Sequence, residues 1–364
     1  MTGLTVFKVR GHTRTWLSLC LGMGAGMLTL GACYQAVSAE GGQPGAGRAR
    51  VYASAQTQPT DDAGDAADDP AIWLNVKDPS KSLVLGTNKK SGLGVYDLAG
   101  TRLTFLPVGR INNVDVRNNI TFERNVTMDI AAASHRTKRG ISVFAVGAGE
   151  GNVGSVRELP GSPVITGLDE PYGLCMMRDP VTGAGSVFVN SKDGRIERWD
   201  LYYDGANISG KLAGTMKLSS QVEGMVVDEA TGTLFVGEEA AGVWAFNIAQ
   251  PTAPPVLVAK ADPAGPLVAD VEGVVVVPDP ANGRTLLVVS SQGNNTYVVY
   301  NAAAPYAYIS TFEIAATQEG VRPALGAVEE TDGIDISVLN FGGAFAGGLM
   351  VAQDGINGSE NQNF

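Results

Sequence analysis

The chain reads as an all-β protein built on a repeated unit. Three observations predict this. Short runs rich in Val, Ile, Phe, Tyr and Trp alternate with Gly/Asp/Asn turns from Asp68 to about Val351. No amphipathic stretch of three helical turns interrupts them, and residues 129–133 and 313–318 are helix-like only briefly. Finally, 47 Gly are dispersed along the 364 residues, as many tight turns require. A composition of 44% hydrophobic and 17% charged residues excludes a wholly disordered or collagen-like chain. A net charge of −11 argues against a general nucleic-acid binder, which needs a basic face.

The elements follow in order. Lys8, Arg10 and Arg14 precede an uncharged apolar run over residues 16–32, the layout of an export signal rather than of a membrane span. Two cleavage readings compete. Leu30-Gly31-Ala32-Cys33 has the form of a lipoprotein box that would leave Cys33 acylated and anchored to a membrane; Val37-Ser38-Ala39 has the form of an ordinary small-residue site before Glu40. Both place the body outside the cytoplasm: secreted, periplasmic or on the outer surface. The expected organisation is a signal peptide over 1–39, a flexible lead-in over 40–65 rich in Gly, Ala, Gln and Pro, and one domain over 66–364. Three Cys exclude a disulfide scaffold, and Cys175 is expected to be a buried thiol.

Within the domain a strand ending in an aromatic residue recurs at Val95-Tyr96, Val143-Phe144, Arg198-Trp199, Ala245-Phe246 and Val299-Tyr300. The spacing, roughly 45–55 residues, is close to that of a four-stranded propeller blade. About 300 residues at that period predict roughly six blades of mostly four antiparallel strands. A β-sandwich repeat is the alternative on period alone. In a propeller, loops from all blades converge on one end of a central channel, so residues far apart in sequence share a site. Such a ring needs no partner to bury its core, and a monomer is expected.

The chemistry points to oxygen ligands. Two His, His12 and His135, leave little room for His-rich zinc sites. Gly-x-Ser-x-Gly and the phosphate-binding Gly-x-x-x-x-Gly-Lys motif are absent. Carboxylates instead recur beside turns, in Asp68-Asp69-Pro70, Val222-Glu223-Gly224, Glu238-Glu239, Val271-Glu272-Gly273, Thr331-Asp332-Gly333-Ile334-Asp335 and Gln353-Asp354-Gly355. Carboxylate donors without His or Cys suit a hard cation, calcium before zinc. Taken singly, each Asp/Glu-Gly pair also reads as a solvated turn. Lys89, Lys90, Arg110, Arg136 and Lys192 occupy the same class of loop and suit phosphate oxygens. Carboxylates would repel a polyanion unless metal ions inverted the local field. The combination therefore describes a site for a multiply phosphorylated ligand.

With these motifs in order, the chain resembles the β-propeller phytases from about Asp68 to Asn363. The resemblance is carried by Asp68-Asp69-Pro70-Ala71-Ile72-Trp73, Thr87-Asn88-Lys89-Lys90-Ser91-Gly92, Asn112-Asn113-Val114-Asp115, Ala131-Ala132-Ala133-Ser134-His135-Arg136, Tyr172-Gly173, Gln221-Val222-Glu223-Gly224, Ser290-Ser291-Gln292-Gly293-Asn294 and the 331–335 and 351–355 segments. It implies a six-bladed, secreted, calcium-dependent 3-phytase-type phosphomonoester hydrolase that binds several Ca2+ ions and takes phytate, myo-inositol hexakisphosphate, as its calcium complex. It implies phosphate contacts from Lys89, Lys90, Arg136, Tyr172 and Lys192, and calcium ligands at the cleavage site from Asp69, Glu223, Glu238 and Glu272. It places Asp332 and Asn357 at a separate structural calcium; Asp68 and Asp335 are further candidate ligands from the turn motifs. Glu238 or Glu223 is expected to position the attacking water. Glu239 is expected to point away, because successive residues on a strand face opposite sides. Two departures stand out: Ile356 replaces an acid that follows Gln-Asp-Gly in the family, and the family continues into a closing strand beyond Phe364. A calcium-dependent propeller lactonase, or a secreted propeller that binds inositol phosphates or glycans without cleaving them, are the competing readings.

Overall fold

The computed structural model describes residues 48–147, 155–321 and 323–364; the export segment, both cleavage readings and Cys33 lie outside the described residues. A first strand, β1 (Ala49–Tyr52), precedes the first full sheet: β2 (Ala67–Trp73), β3 (Leu83–Asn88), β4 (Gly92–Tyr96) and β5 (Arg102–Leu106). The second sheet is β6 (Ile111–Thr121), β7 (Thr127–His135) and β8 (Gly140–Val146), its outer position shared by β9 (Val156–Glu158) and β10 (Val164–Ile165). The third comprises β11 (Pro171–Arg178), β12 (Gly185–Ser191), β13 (Arg195–Tyr203) and β14 (Ile208–Lys217). The fourth comprises β15 (Val222–Asp228), β16 (Thr233–Glu238), β17 (Gly242–Asn247) and β18 (Val256–Lys260). The fifth is β19 (Val271–Asp279), β20 (Arg284–Ser291), β21 (Thr296–Asn301) and β22 (Tyr308–Ala315), to which β1 adds in parallel. Finally β23 (Ile334–Ser337) and β24 (Leu349–Ala352) pair as a two-stranded sheet.

The strands β2, β6, β11, β15, β19 and β23 pack side by side in that order, and β23 returns to β2. This closes the ring of a β-propeller. Five full blades form among the described residues, and a two-stranded sheet stands between the fifth and the first, so the expected count of six full blades is not confirmed. Residues after β24 stay close to this sheet: Asp354 N donates to Asn363 O at 3.0 Å.

Each apolar cluster fills the gap between neighbouring sheets. Leu83, Leu85 and Val95 of the first sheet meet Ile111, Val114 and Phe144 of the second; Cys175, Phe188 and Ile196 of the third meet Val222, Met225 and Leu234 of the fourth. In β19, Val274 packs toward the fourth sheet and Val275 toward β23. Both faces of a blade are therefore covered, which is why these strands read as continuous Val/Ile/Leu runs rather than as alternation. The segment before β2, expected to be a flexible lead-in, is held: Thr57 N donates to Phe364 O at 2.8 Å, Thr60 N to Gln362 O at 2.9 Å, and Asn361 Nδ2 to Thr60 O at 2.8 Å.

One irregularity repeats around the ring. β2, β6, β11, β15 and β19 each break register at the same point, leaving Asp68-Asp69, Asn112-Asn113, Tyr172-Gly173, Glu223-Gly224 and Glu272-Gly273 outside the ladder. A bulge re-aims side chains, and here it turns five of them toward the axis. In the three pairs that carry a glycine, and at Gly333 before β23, the glycine meets a neighbouring segment. A Cβ on Gly173 would lie 2.0 Å from Glu223 O, one on Gly224 2.1 Å from Glu272 O, and one on Gly333 2.0 Å from Asp69 Oδ1. The Asp/Glu-Gly pairs are thus points of closest backbone approach, and the solvated-turn reading is wrong for them. G224A is expected to destabilise the fold by about 1–3 kcal/mol in urea unfolding. G326A, with nothing within 4 Å of the added carbon, is expected to change stability by less than about 0.5 kcal/mol. Equal effects from the two would refute the close-approach argument.

Candidate active site

The re-aimed side chains converge. Asn112 Nδ2 donates to Asp68 Oδ1 at 3.0 Å and to Glu223 Oε1 at 2.7 Å. The Tyr172 hydroxyl engages the Glu223 carboxylate, and Glu223 in turn engages Glu272. One carboxylate oxygen from each of Glu223, Glu239 and Glu272 lies within 4.8 Å of the others. Asp332, just before β23, completes the circle: its N–H donates to Gln353 Oε1 at 2.7 Å, and its carboxylate accepts from Gln292 Nε2 at 2.6 Å and Lys89 Nζ at 2.9 Å.

Burial dominates the electrostatics of this nest. It pushes Glu223 and Glu272 well above the ordinary carboxylate range, and neighbouring carboxylates push them further. Asp68 and Glu239 move up for the same first reason. Asp332 is pushed up to about 7 by burial and by Asp68, against the pull of Lys89. Burial and then Glu223 raise the Tyr172 hydroxyl. Burial works against the charge on Lys89, yet Asp68, Asp332 and Asp65, at 3.0, 2.9 and 2.6 Å, outweigh it and hold the ammonium protonated.

Cations line the rim beside this nest. Arg136 lies over the Tyr172 ring, 5.6 Å from its centroid, and Lys192 lies 4.2 Å from the same centroid. Arg136 also donates to Glu170 and, at 3.1 Å, to Asn112 Oδ1.

The donor set fits a hard cation. Every donor is oxygen, and two buried oxygens, Asp68 Oδ2 and Glu272 Oε2, lack a hydrogen-bond partner among the described residues; Asp68 Oδ2 has only its ion pair with Lys89. So many adjacent carboxylates cannot all ionise without a compensating charge. Divalent cations taking oxygen ligands supply it.

Of the residues singled out from sequence, the fold brings together Asp68, Tyr172, Glu223, Glu272, Asp332, Lys89, Arg136 and Lys192. It does not bring Glu238. Both of that residue's oxygens are saturated inside the blade: Oε1 accepts from Ser219 N at 3.1 Å and from Ser220 N and Oγ at 2.8 Å, and Oε2 accepts from Trp244 Nε1 at 2.8 Å. Glu239 takes its place. Alternation does separate the pair, but with the opposite parity to that expected.

Asp69 and Asp335 lie one layer deeper, lining a cavity of about 210 Å³ with Asn113 and Asp115. Asp69 accepts from Val114 N at 2.9 Å. Asp335, pushed up to about 6 by burial, accepts from the amides of Ile72 and Ile336, both at 2.7 Å, and ties the last sheet to the first. Asn357 lines a separate cleft of about 710 Å³ with Asp65, Glu330 and Glu360, a cleft that Asp332 also borders. Lys90 turns toward the lead-in and donates to Ala63 O. Arg110 is exposed beside Arg136, whose N–H donates to Arg110 O at 2.9 Å.

A repeat-register signal would have found Glu239. The second strands of the five full blades end at Asn88, His135, Ser191, Glu238 and Ser291, and the next residues are Lys89, Arg136, Lys192, Glu239 and Gln292. Four of these have the same backbone bond, to Ala66 O, Arg110 O, Gln221 O and Asp270 O. One structural position therefore supplies the rim in every full blade. Asn112, Glu170 and Gln292 were also missed, since none is a carboxylate in an Asp/Glu-Gly pair or a cation.

Fold and site define a β-propeller hydrolase whose channel mouth joins a carboxylate nest to a cationic rim. The family model described as Phytase matches residues 19–364. The chain is also similar to a 3-phytase of Bacillus subtilis (strain 168), 37% identical over 322 residues that cover 86% of this chain and 82% of the relative. The chain belongs to the phytase family and is an enzyme of that class.

Two outcomes follow from the geometry. E238Q is expected to cost about 1.5–3 kcal/mol of stability, because the amide keeps one acceptor oxygen and its NH2 must then face a buried donor that is left unpaired, whereas E239Q is expected to leave the melting temperature intact; the reverse ranking in thermal melts would refute the assignment. The second concerns pH. The raised Asp332 favours its neutral form in the fold, a contribution fully present near pH 4 and lost as pH rises through about 7. Without divalent cations the nest should therefore weaken the fold over that window. The gain in melting temperature from added calcium over EDTA is expected to grow with pH across it; a gain independent of pH would count against these ligands.

Proposed function

We propose that this chain is a calcium-dependent phytase that releases phosphate from phytate, taken as its calcium complex. The observation that carries the reading is the junction of the Glu223, Glu239 and Glu272 nest with Lys89, Arg136 and Lys192 at one channel mouth. Carboxylates alone would suit a metal-dependent lactonase equally; the cations favour a phosphate ester.

Asp68, Glu223, Glu239, Glu272 and Asp332 would hold the calcium ions, with Asn357 and the acids of the neighbouring cleft as candidates for a structural one. Calcium bound there supplies charge neutralisation and acidifies water. The chain's own residues do the rest. Lys89, Arg136 and Lys192 grip phosphate oxygens and stabilise the charge that builds on them during in-line displacement. Lys89, held protonated by its three carboxylates, stays a cation throughout. The Tyr172 hydroxyl remains protonated and serves as a donor to a phosphate oxygen. Glu239 or Glu223 orients the attacking water and accepts its proton, a role that their raised proton affinity suits. No protein nucleophile is needed. The body is proposed to act outside the cytoplasm as a monomer, and the mass of the exported form would decide between Cys33 and Glu40 as its first residue.

Phosphate release from sodium phytate with calcium chloride, against an EDTA control, tests the reading. Activity is expected only with calcium. E239Q and E223Q are each expected to lower kcat about 100-fold or more while the fold melts normally, and E238Q to retain turnover in whatever fraction stays folded. Undiminished release in EDTA, or wild-type kcat in E239Q, would sink the proposal.

A further inference from the structure

Arg136 is held from several sides before any ligand arrives. Its guanidinium carries five N–H groups. Nε–H, at 2.8 Å, and one Nη2–H both go to Oε1 of Glu170, and one Nη1–H goes to Asn112 Oδ1 at 3.1 Å. One N–H on each terminal nitrogen is left over. The Tyr172 ring supports the group from below at 5.6 Å. Glu170 stands directly before β11, the strand that carries Tyr172, and it feels Lys192 and Arg110 as well as Arg136. Asn112 is fixed in turn by its bonds to Asp68 and Glu223.

We propose that Glu170 is a positioning residue for substrate capture: together with Asn112 it clamps the Arg136 guanidinium so that its two remaining N–H groups meet a phosphate as a preset pair. This rests on the reading of the channel mouth as a site for a polyphosphorylated inositol. A flexible arginine would lose rotamer freedom on binding, and a clamped one has already done so. A competing-anion role, in which a phosphate must displace Glu170, fits the geometry less well. Glu170 takes the Nε edge and leaves both terminal nitrogens with a free N–H.

The test compares wild type, E170A and E170Q by steady-state kinetics on calcium phytate and by equilibrium binding of myo-inositol hexasulfate, a polyanion used here as an uncleaved probe. E170A is expected to raise both KM and the sulfate Kd about tenfold with kcat within about threefold. E170Q is expected to restore both to within about threefold of wild type, since an amide oxygen still accepts the two N–H groups. The Glu170 side chain is 42% exposed, so the fold should survive either change, and melting curves check this. Unchanged KM and Kd in E170A, or tighter values, or a fall in kcat alone, would overturn the clamp. A wild type that neither cleaves phytate nor binds the sulfate would overturn the phytate reading and the clamp with it; a wild type that does both, beside an E170A that matches it, overturns the clamp alone.

Discussion

Everything at the channel mouth depends on how closely the innermost strands approach the axis. Where Gly173, Gly224, Gly273 and Gly333 meet a neighbouring segment there is no room for a Cβ, and the register breaks of β2, β6, β11, β15 and β19 send a side chain inward. Asp68, Asn112, Tyr172, Glu223, Glu272 and Asp332 are forced into one small volume by backbone geometry. Their mutual repulsion is a consequence of the fold, and in a low-dielectric site it is not screened away. The fold tolerates it through local compensation: Asn112 donates to two of the carboxylates, Lys89 is shared among three, and Gln292 donates to Asp332. What remains is a deficit of positive charge, which is the condition for taking up divalent cations.

The same geometry explains what was legible in the sequence. The blades were, because both faces of each are buried and the apolar runs are long, and because aromatic strand ends mark the period. The acids of the inner strands were, through the Glu-Gly and Asp-Gly pairs, although the meaning of the glycine was not: a turn and a point of interstrand contact use the same residue for different reasons. Glu238 and Glu239 show where local reasoning stops. Alternation says that they face opposite ways; which one faces the axis depends on register against Gly242 and Val222, and that is set by pairing across the sheet. Asp335 failed differently. It shares a motif with Asp332, but three residues further along a strand it has descended into the channel and been consumed by backbone amides.

The lead-in was illegible for a related reason. Thr57 and Thr60 have no apolar neighbours to announce a strand, and their partners lie some three hundred residues away at Gln362 and Phe364. Hydrogen bonds of that kind leave no local pattern. Phe364 supplies the apolar part of the contact, packing over Gly86 and against Tyr96 of the first blade.

Seen around the ring, the site is polarised. Position two of the inner strands reads Asp68, Asn112 and Tyr172 in the first three blades and Glu223 and Glu272 in the next two; Asp332, just before β23, closes the circle. The position after each second strand reads Lys89, Arg136 and Lys192, then Glu239 and Gln292. Cations therefore occupy one half of the mouth and carboxylates the other, with Asp68 and Asp332 meeting Lys89 on one border and Tyr172 meeting Glu223 on the opposite one. A uniform ring of acids would hold metal and repel an anion; a uniform ring of cations would hold an anion without activating water against it. Only at a border can one phosphoryl group touch both. That makes the arc from Arg136 through Tyr172 to Glu223 the critical segment of the circle, and its members are cross-linked: Asn112 binds Arg136 on one side and Glu223 on the other, which ties the grip to the nest.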